Sequence, residues 1–337
     1  MTLKKARDRH HEARELVADG IDPGEHKKLL QSSQIAESEN SFSAVAMEWF
    51  IKHKPSWTAG HARTITSRLE RDVFPIIGQR SVAKIGAPEI LDVIRRVEDR
   101  GAIESAHRIL GLCGQIMRYA VATTRADRNP CADLRGALAP VKTKHFTAIT
   151  DPIEVAKLLR ALDGFEGTAV VKAALRLAPL LFVRPGELRH AQWEEVDLDQ
   201  CEWSFTVSKT NTQHIVPLST QSVEILRKVH PLTCRGPFVF PSARSPRGKR
   251  PMSENAVLAA LRSMGFPKNK MTGHGFRAMA RTLLDEELGF PPHLIEHQLA
   301  HAVRDPLGRA YNRTAHLGER RKMMQAWADY LDQLKHA

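Results

Sequence analysis

Hydrophobic residues at helical spacing run through two long blocks of this chain and fail between them, and that break limits the fold more than any other feature. From Ser41 onward, Phe42, Val45, Ala46, Trp49 and Phe50 recur at three- and four-residue steps, which marks an amphipathic helix. The same period returns over 62–74, 88–98 and 103–122. These runs predict a helical domain of about four helices over 41–140, packed through Ile65, Leu69, Ile90, Ile94, Leu110, Ile116 and Met117. The stretch RGALAPVKTKHFTAIT then carries Gly, Pro and Lys without a period and reads as a linker, with a boundary near 140–148.

Asp151-Pro152 opens the second block, a capping residue followed by proline in the first turn, and helices are predicted over 153–162 and 169–181. The runs 202–208 and 213–217 are rich in Val, Ile, Trp, Phe and Thr and flank KTNT, which predicts a hairpin; 238–240 is expected to add a short strand. Beyond Ser253 the pattern is helical to the end, broken at Gly265-Phe266-Pro267, 289–292 and 305–308. The predicted fold class is therefore mainly α with a small antiparallel β-sheet: a charged helical leader over 1–40, a helical domain over 41–140 and a mixed α/β domain over 148–337.

Composition narrows the classes. With 42% hydrophobic and 26% charged residues in 337, the chain folds and is neither disordered nor collagen-like. Four scattered cysteines without a CxxC pair argue against a disulfide scaffold or a cysteine-rich zinc site and point to a reducing compartment. The longest apolar run, 173–183, is too short to span a bilayer and is broken by Arg176, so a cytoplasmic protein without a membrane partner is expected. A net charge of +12 favours a polyanionic partner, nucleic acid or an anionic surface.

Polar residues gather at the breaks of the second block. Arg184 follows an apolar helix and precedes a proline that turns its backbone away from helix, so its guanidinium stands at a helix end; taken alone, pairing with Glu187 or capping of carbonyls is the plainer explanation. Lys209 sits at the hairpin tip, where most lysines only face water. His274 and Arg277 are three residues apart and share a face at a helix start, beside amide groups suited to a phosphate oxygen. His293, His297 and His301 follow at four-residue steps, but the zincin pattern is absent, and one helical turn cannot close a tetrahedral site with all three. His301 reads instead as a further phosphate-facing donor. Tyr311 lies between Arg309 and Arg313, cations that favour its phenolate over the usual pKa of about 10.

The ordered series LLFVRPGELR, Lys209 before HIVPLS, HGFR, LAH and AYNR resembles the tyrosine recombinases, most closely the integrases of temperate phages and genomic islands. The resemblance spans roughly 150–330, and the block at 41–140 is similar to the core-DNA-binding domain that accompanies it. It implies a site-specific recombinase that cleaves and rejoins DNA through a 3′-phosphotyrosine without metal, ATP or other cofactor. By motif, Arg184 and Arg277 are then the catalytic arginines, His301 the second histidine and Tyr311 the nucleophile. Lys209 and His274 divide the acid and base roles in an order left open, and Glu187 supports Arg184. Expected partners are duplex DNA with core-type sites, a homotetramer formed on that DNA from a free monomer, and a directionality or DNA-bending factor. Lys142, Lys144 and His145 are expected to follow phosphates along the linker. Integrases of this subtype carry an arm-binding domain ahead of a helix like LKKARDRHHEARELVADGIDP, which the chain is expected to lack. A type IB topoisomerase or a non-catalytic DNA-binding regulator remains as the alternative.

Overall fold

The computed structural model describes residues 2–19, 22–24, 39–141, 147–207, 211–301 and 316–336. The chain divides into two compact units, Met1–Thr143 and Lys144–Ala337. It is mainly α-helical with one small antiparallel sheet, the class that the alternating periods predict.

In the first unit, helix α1 spans Leu3–Ala18. Helix α2, Phe42–His53, starts where Ser41 Oγ accepts from the Ala44 amide at 3.3 Å, and α3, Ala59–Arg68, starts on the matching bond from His61 to Thr58. A π-helical turn at Leu69–Val73 links α3 to the short α4, Phe74–Ile77, where Pro75 has no amide to donate to the preceding turn. Helices α5, Ala87–Asp99, and α6, Ile103–Ala122, complete the unit. Phe42, Leu69, Ile90, Ile94, Ile116 and Met117 are buried in one cluster. Of the expected core residues Leu110 packs at its edge, on the flank of the buried stripe of helix α6, where Ile109 takes the central place beside Ile116 and Met117. Asp72 is buried between Arg71 at 2.9 Å and Arg100 at 2.6 Å, which ties the π turn to the end of α5.

The second unit opens with α7, Pro152–Gly164, and α8, Ala169–Leu181. Helix α8 ends on Phe182, fully buried with φ 37°, a left-handed conformation that a bulky residue adopts only where its surroundings enforce it. After α9, Pro185–His190, comes a sheet ordered β1 (Val196–Asp197), β2 (Glu202–Val207), β3 (Thr212–Pro217), all antiparallel. Trp203 pairs with Val216 and Phe205 with His214, so these four share the buried face. The expected strand over 238–240 does not form. Phe238 and Pro241 make isolated bridges to Gln192 and Pro251, since the prolines at 237 and 241 supply no amide to a ladder and Val239 and Phe240 are drawn into the core. The third strand is β1, too short to show a period of two.

Helices α10 (Thr220–Thr233), α11 (Ala256–Ser263), α12 (Gly275–Glu286), α13 (Pro292–Gln298) and α14 (Leu317–His336) follow. Helix α14 packs on its own unit: Met323, Met324, Trp327, Ala328 and Leu331 are buried, and Trp327 Nε1 donates to the Pro179 carbonyl at 2.9 Å while its ring meets Phe182 edge-on. Trp327→Ala is therefore expected to cost about 3–5 kcal/mol of stability, read by chemical denaturation of the full chain; a loss under about 1 kcal/mol would show that α14 does not anchor this core.

Candidate active site

Three breaks in the second unit bring their polar side chains together. The left-handed turn at Phe182 redirects the chain and points the Phe182 carbonyl at Arg277 Nη1, 3.1 Å away. Two residues on, Arg184 caps α9: its amide and its Nη1 both donate to the Glu187 carboxylate, at 2.9 and 2.8 Å, with Glu187 buried. The pairing that sequence offered as the plain explanation of Arg184 is thus present. It does not exhaust the guanidinium, because Nη2 reaches across to the Ala300 carbonyl at 3.2 Å.

Arg277 rises from the first turn of α12 and is 9% exposed. Its Nη2 donates to the Leu299 carbonyl at 2.7 Å and lies 3.0 Å from His301 Nε2. The turn that starts this helix needs Gly275, since a Cβ there would stand 2.6 Å from the Thr147 carbonyl and 2.8 Å from Met271 sulfur. His301 follows Ala300, whose φ of 50° swings the chain off the end of α13, and its Nδ1 meets Glu296 at 2.5 Å. Arg184, Arg277 and His301 therefore converge on the turn Leu299–Ala300–His301, braced from behind by Glu187 and Glu296.

The electrostatics follow from burial. Arg277 is pushed down to about 10, first by desolvation and then by the Arg184 charge, with Glu187 and Glu296 opposing. His274, just ahead of α12, is held below the usual imidazole range, by burial first and then by Arg277 and Arg184. It stays neutral at pH 7 and is able to accept a proton. The two guanidiniums are matched by two carboxylates and His274 is neutral, so what the site offers an incoming anion is donors converging on one turn rather than an excess of charge.

Behind the pocket lies a network that sequence reasoning missed. Arg320, 2% exposed on α14, donates to Gln298 Oε1 at 2.6 Å and to the Ile215 carbonyl on β3, while His214 on β3 contacts the Gln298 carbonyl at 3.1 Å. It joins β3, the end of α13 and the start of α14, fixing the residue that precedes Leu299. Only an arginine in an amphipathic helix was visible in sequence; its burial depends on partners about twenty and a hundred residues away. His293 and His297 meet the His316 ring at 5.1 and 5.7 Å, a packing role. Lys209, Tyr311, Lys142, Lys144 and His145 lie outside the described residues. Among the described residues no cluster suited to a metal ion occurs, and no helix is long and apolar enough to cross a membrane.

Family models and relatives match this chain over most of its length. The family model of the phage integrase central domain matches residues 42–137, and that of the phage integrase family matches 149–316. The integrase of Enterobacteria phage P4 is 36% identical over 98% of this chain and 78% of its own length. The integrase of Shigella phage Sf6 is 36% identical over 99% and 84%. Among solved structures, a lambda integrase tetramer bound to a Holliday junction superposes with a TM-score of 0.64 at 19% identity, covering 90% of each chain. The Tn1549 transposon integrase with circular intermediate DNA gives 0.59 at 13%, covering 83% of this chain and 99% of the other. At such identities the two structures speak for the fold alone.

The buried network carries its own pH signature. Burial, with Arg320, Arg277 and Arg184 adding to it, holds His214 at about 3 against an ordinary value of 6.5. Between those values the unfolded chain binds a proton that the folded one refuses, so stability falls as pH drops through that window. His214→Gln, which keeps a donor for the Gln298 carbonyl, is expected to flatten the loss seen in urea titrations from pH 7 to about 4. His274 and His297, also held low, leave a residual slope. An unchanged slope in the variant would show that His214 is not buried as a neutral ring.

Proposed function

The chain belongs to the phage integrase family of tyrosine recombinases, and from that premise we propose that the second unit cleaves and rejoins DNA at the turn where Arg184, Arg277 and His301 meet. The observation that carries this reading is the convergence of two guanidiniums and an imidazole from three separate stretches of chain on one site. Tyr311, ten residues beyond His301, attacks the scissile phosphorus. A 3′-phosphotyrosine forms, the bond to the 5′ oxygen breaks, and that oxygen leaves as a hydroxyl after taking a proton. One phosphodiester is exchanged for another, so the bond energy is kept and ATP is not required.

Arg184, Arg277 and His301 donate to the nonbridging oxygens as negative charge grows on them, the electrostatic work that a divalent ion performs elsewhere. Because Arg184 and Arg277 already repel each other, a phosphate that binds both relieves that repulsion. Glu187 holds Arg184 in place through two bonds and is a positioning residue. Lys209 at the hairpin tip is the acid for the leaving oxygen, and His274, held neutral, accepts the tyrosine proton.

The first unit serves as the core-DNA-binding domain, and the linker residues Lys142, Lys144 and His145 follow the backbone between the two. Recombination joins two duplexes, each cut on two strands, so four protomers assemble on DNA, as they do in the lambda integrase tetramer on a Holliday junction. A directionality or DNA-bending partner sets the balance of integration and excision, and the reaction takes place on chromosomal or mobile-element DNA in the cytoplasm.

Tyr311→Phe tests the chemistry. On a nicked duplex carrying a core site, the wild-type chain is expected to form an SDS-resistant protein–DNA species and the variant none, with binding retained. A persisting adduct in the variant would remove Tyr311 from the role, and relaxation of supercoils without exchange between sites would mark a topoisomerase instead.

A further inference from the structure

The segment 242–250, SARSPRGKR, holds four cations, Arg244, Arg247, Lys249 and Arg250, and no carboxylate. All four are exposed, and among the described residues none has an ion-pair partner. Several other cations of the same unit are neutralised: Arg176 by Asp163, Arg281 by Asp285 and Glu296, Arg321 by Glu202, Lys335 by Asp163 and Asp332. Four like charges left together raise the local potential and cost self-repulsion unless an anion meets them.

The segment is also built to hold its shape. The Ser242 amide donates to the Arg250 carbonyl at 2.8 Å and the Ser245 amide to Ser242 at 2.9 Å, and Pro241 and Pro251 bridge its two ends. Arg247 is held at φ 56°, a strained setting for arginine, and Gly236 lies under it so closely that a Cβ would stand 2.8 Å from the Arg247 carbonyl. A segment serving only solubility has no need of such bracing. Its base is fixed to the catalytic side: the Met252 amide donates to Phe240 at 2.7 Å, and Arg189, on the helix that Arg184 caps, donates to the Met252 carbonyl at 2.9 Å. From there a groove of about 550 Å³ runs past Pro185 and Gly273 to His274; it is lined by Arg189, Arg262 and Lys268 against one carboxylate, Glu254.

We infer that 242–250 is a second phosphate-binding element, which grips the backbone of the duplex beside the cleaved phosphodiester and sets its register in the pocket. This rests on the recombinase reading of the pocket itself. The contact is with phosphate charge rather than with base edges, so it acts on any sequence and its signature is salt dependence.

The test is fluorescence anisotropy of the full chain with a labelled mixed-sequence duplex over a range of salt. In R244Q/R247N/K249Q/R250Q, where Asn at 247 tolerates the left-handed backbone, the slope of log K against log salt is expected to shrink by about 0.9 for each lost contact, about 3.6 for four. The fall in affinity between 50 and 200 mM salt then shrinks by a factor on the order of a hundred. The charge-keeping R244K/R247K/R250K should hold the wild-type slope, and each single neutralisation should lower it by about 0.9, so misfolding of the quadruple variant does not decide the matter. A quadruple variant with the wild-type slope, beside a wild-type chain that binds and forms its covalent adduct, overturns the inference alone. A wild-type chain without salt-dependent binding overturns the recombinase reading as well.

Discussion

Two guanidinium groups held close in a half-dry pocket repel each other, and the fold of the second unit is organised around making that repulsion tolerable. Arg277 tolerates burial because part of its donor set is met by carbonyls at Phe182 and Leu299, both freed by helices that end abruptly. Arg184 is tolerated beside it because Glu187 faces it from the next turn. Each break therefore has a partner. The left-handed Phe182 supplies one carbonyl, and the left-handed Ala300 turns out another for Arg184. What these bonds leave is two guanidiniums facing one turn, and a phosphodiester is the anion whose two nonbridging oxygens fit such a pair.

The second constraint is mechanical. A pocket assembled from loops at the ends of α8, α13 and α12 needs something to keep those ends in register. Arg320 and Gln298 do this through hydrogen bonds to neutral groups: burial pushes Arg320 down to about 10, with the Glu202 charge opposing, yet it spans β3 and α13 and roots the first turns of α14. Trp327, farther along α14, is wedged against Phe182. The helix that follows Tyr311 in sequence is thus fastened to the strand that follows Lys209 and to the turn that carries His301, so the described parts of the site share one frame.

Much of this was legible in the sequence because the signals were local. Helix starts at Ser41, Thr58 and Asp151 are announced by a capping oxygen three residues ahead of the amide it receives, and the hairpin by β-branched runs around a polar tip. Arg184, Glu187, His274, Arg277 and His301 sit in short motifs, each weak alone and recognisable through their order along the chain. The misses were non-local. A two-residue strand at Val196–Asp197 has no period to detect, and 238–240 had the composition of a strand but prolines where amides were needed. Leu110 and Ile109 are adjacent, and which one faces inward depends on how α6 meets its neighbours. Arg320 looked like the polar face of a helix because its partners, Gln298 and Ile215, come from distant stretches.

The claim beneath all of this is that Arg184 and Arg277 act by offsetting charge on the scissile phosphate. The most direct measurement replaces one nonbridging oxygen of that phosphate by a methyl group and compares cleavage by the wild-type chain and by Arg184→Ala on both substrates. Losing one oriented donor should slow the variant about a hundredfold on the phosphodiester, about 3 kcal/mol of barrier. On the uncharged methylphosphonate the two proteins should cleave at nearly the same rate. A variant equally defective on both substrates would contradict the account, because the arginine would then be needed for something other than charge.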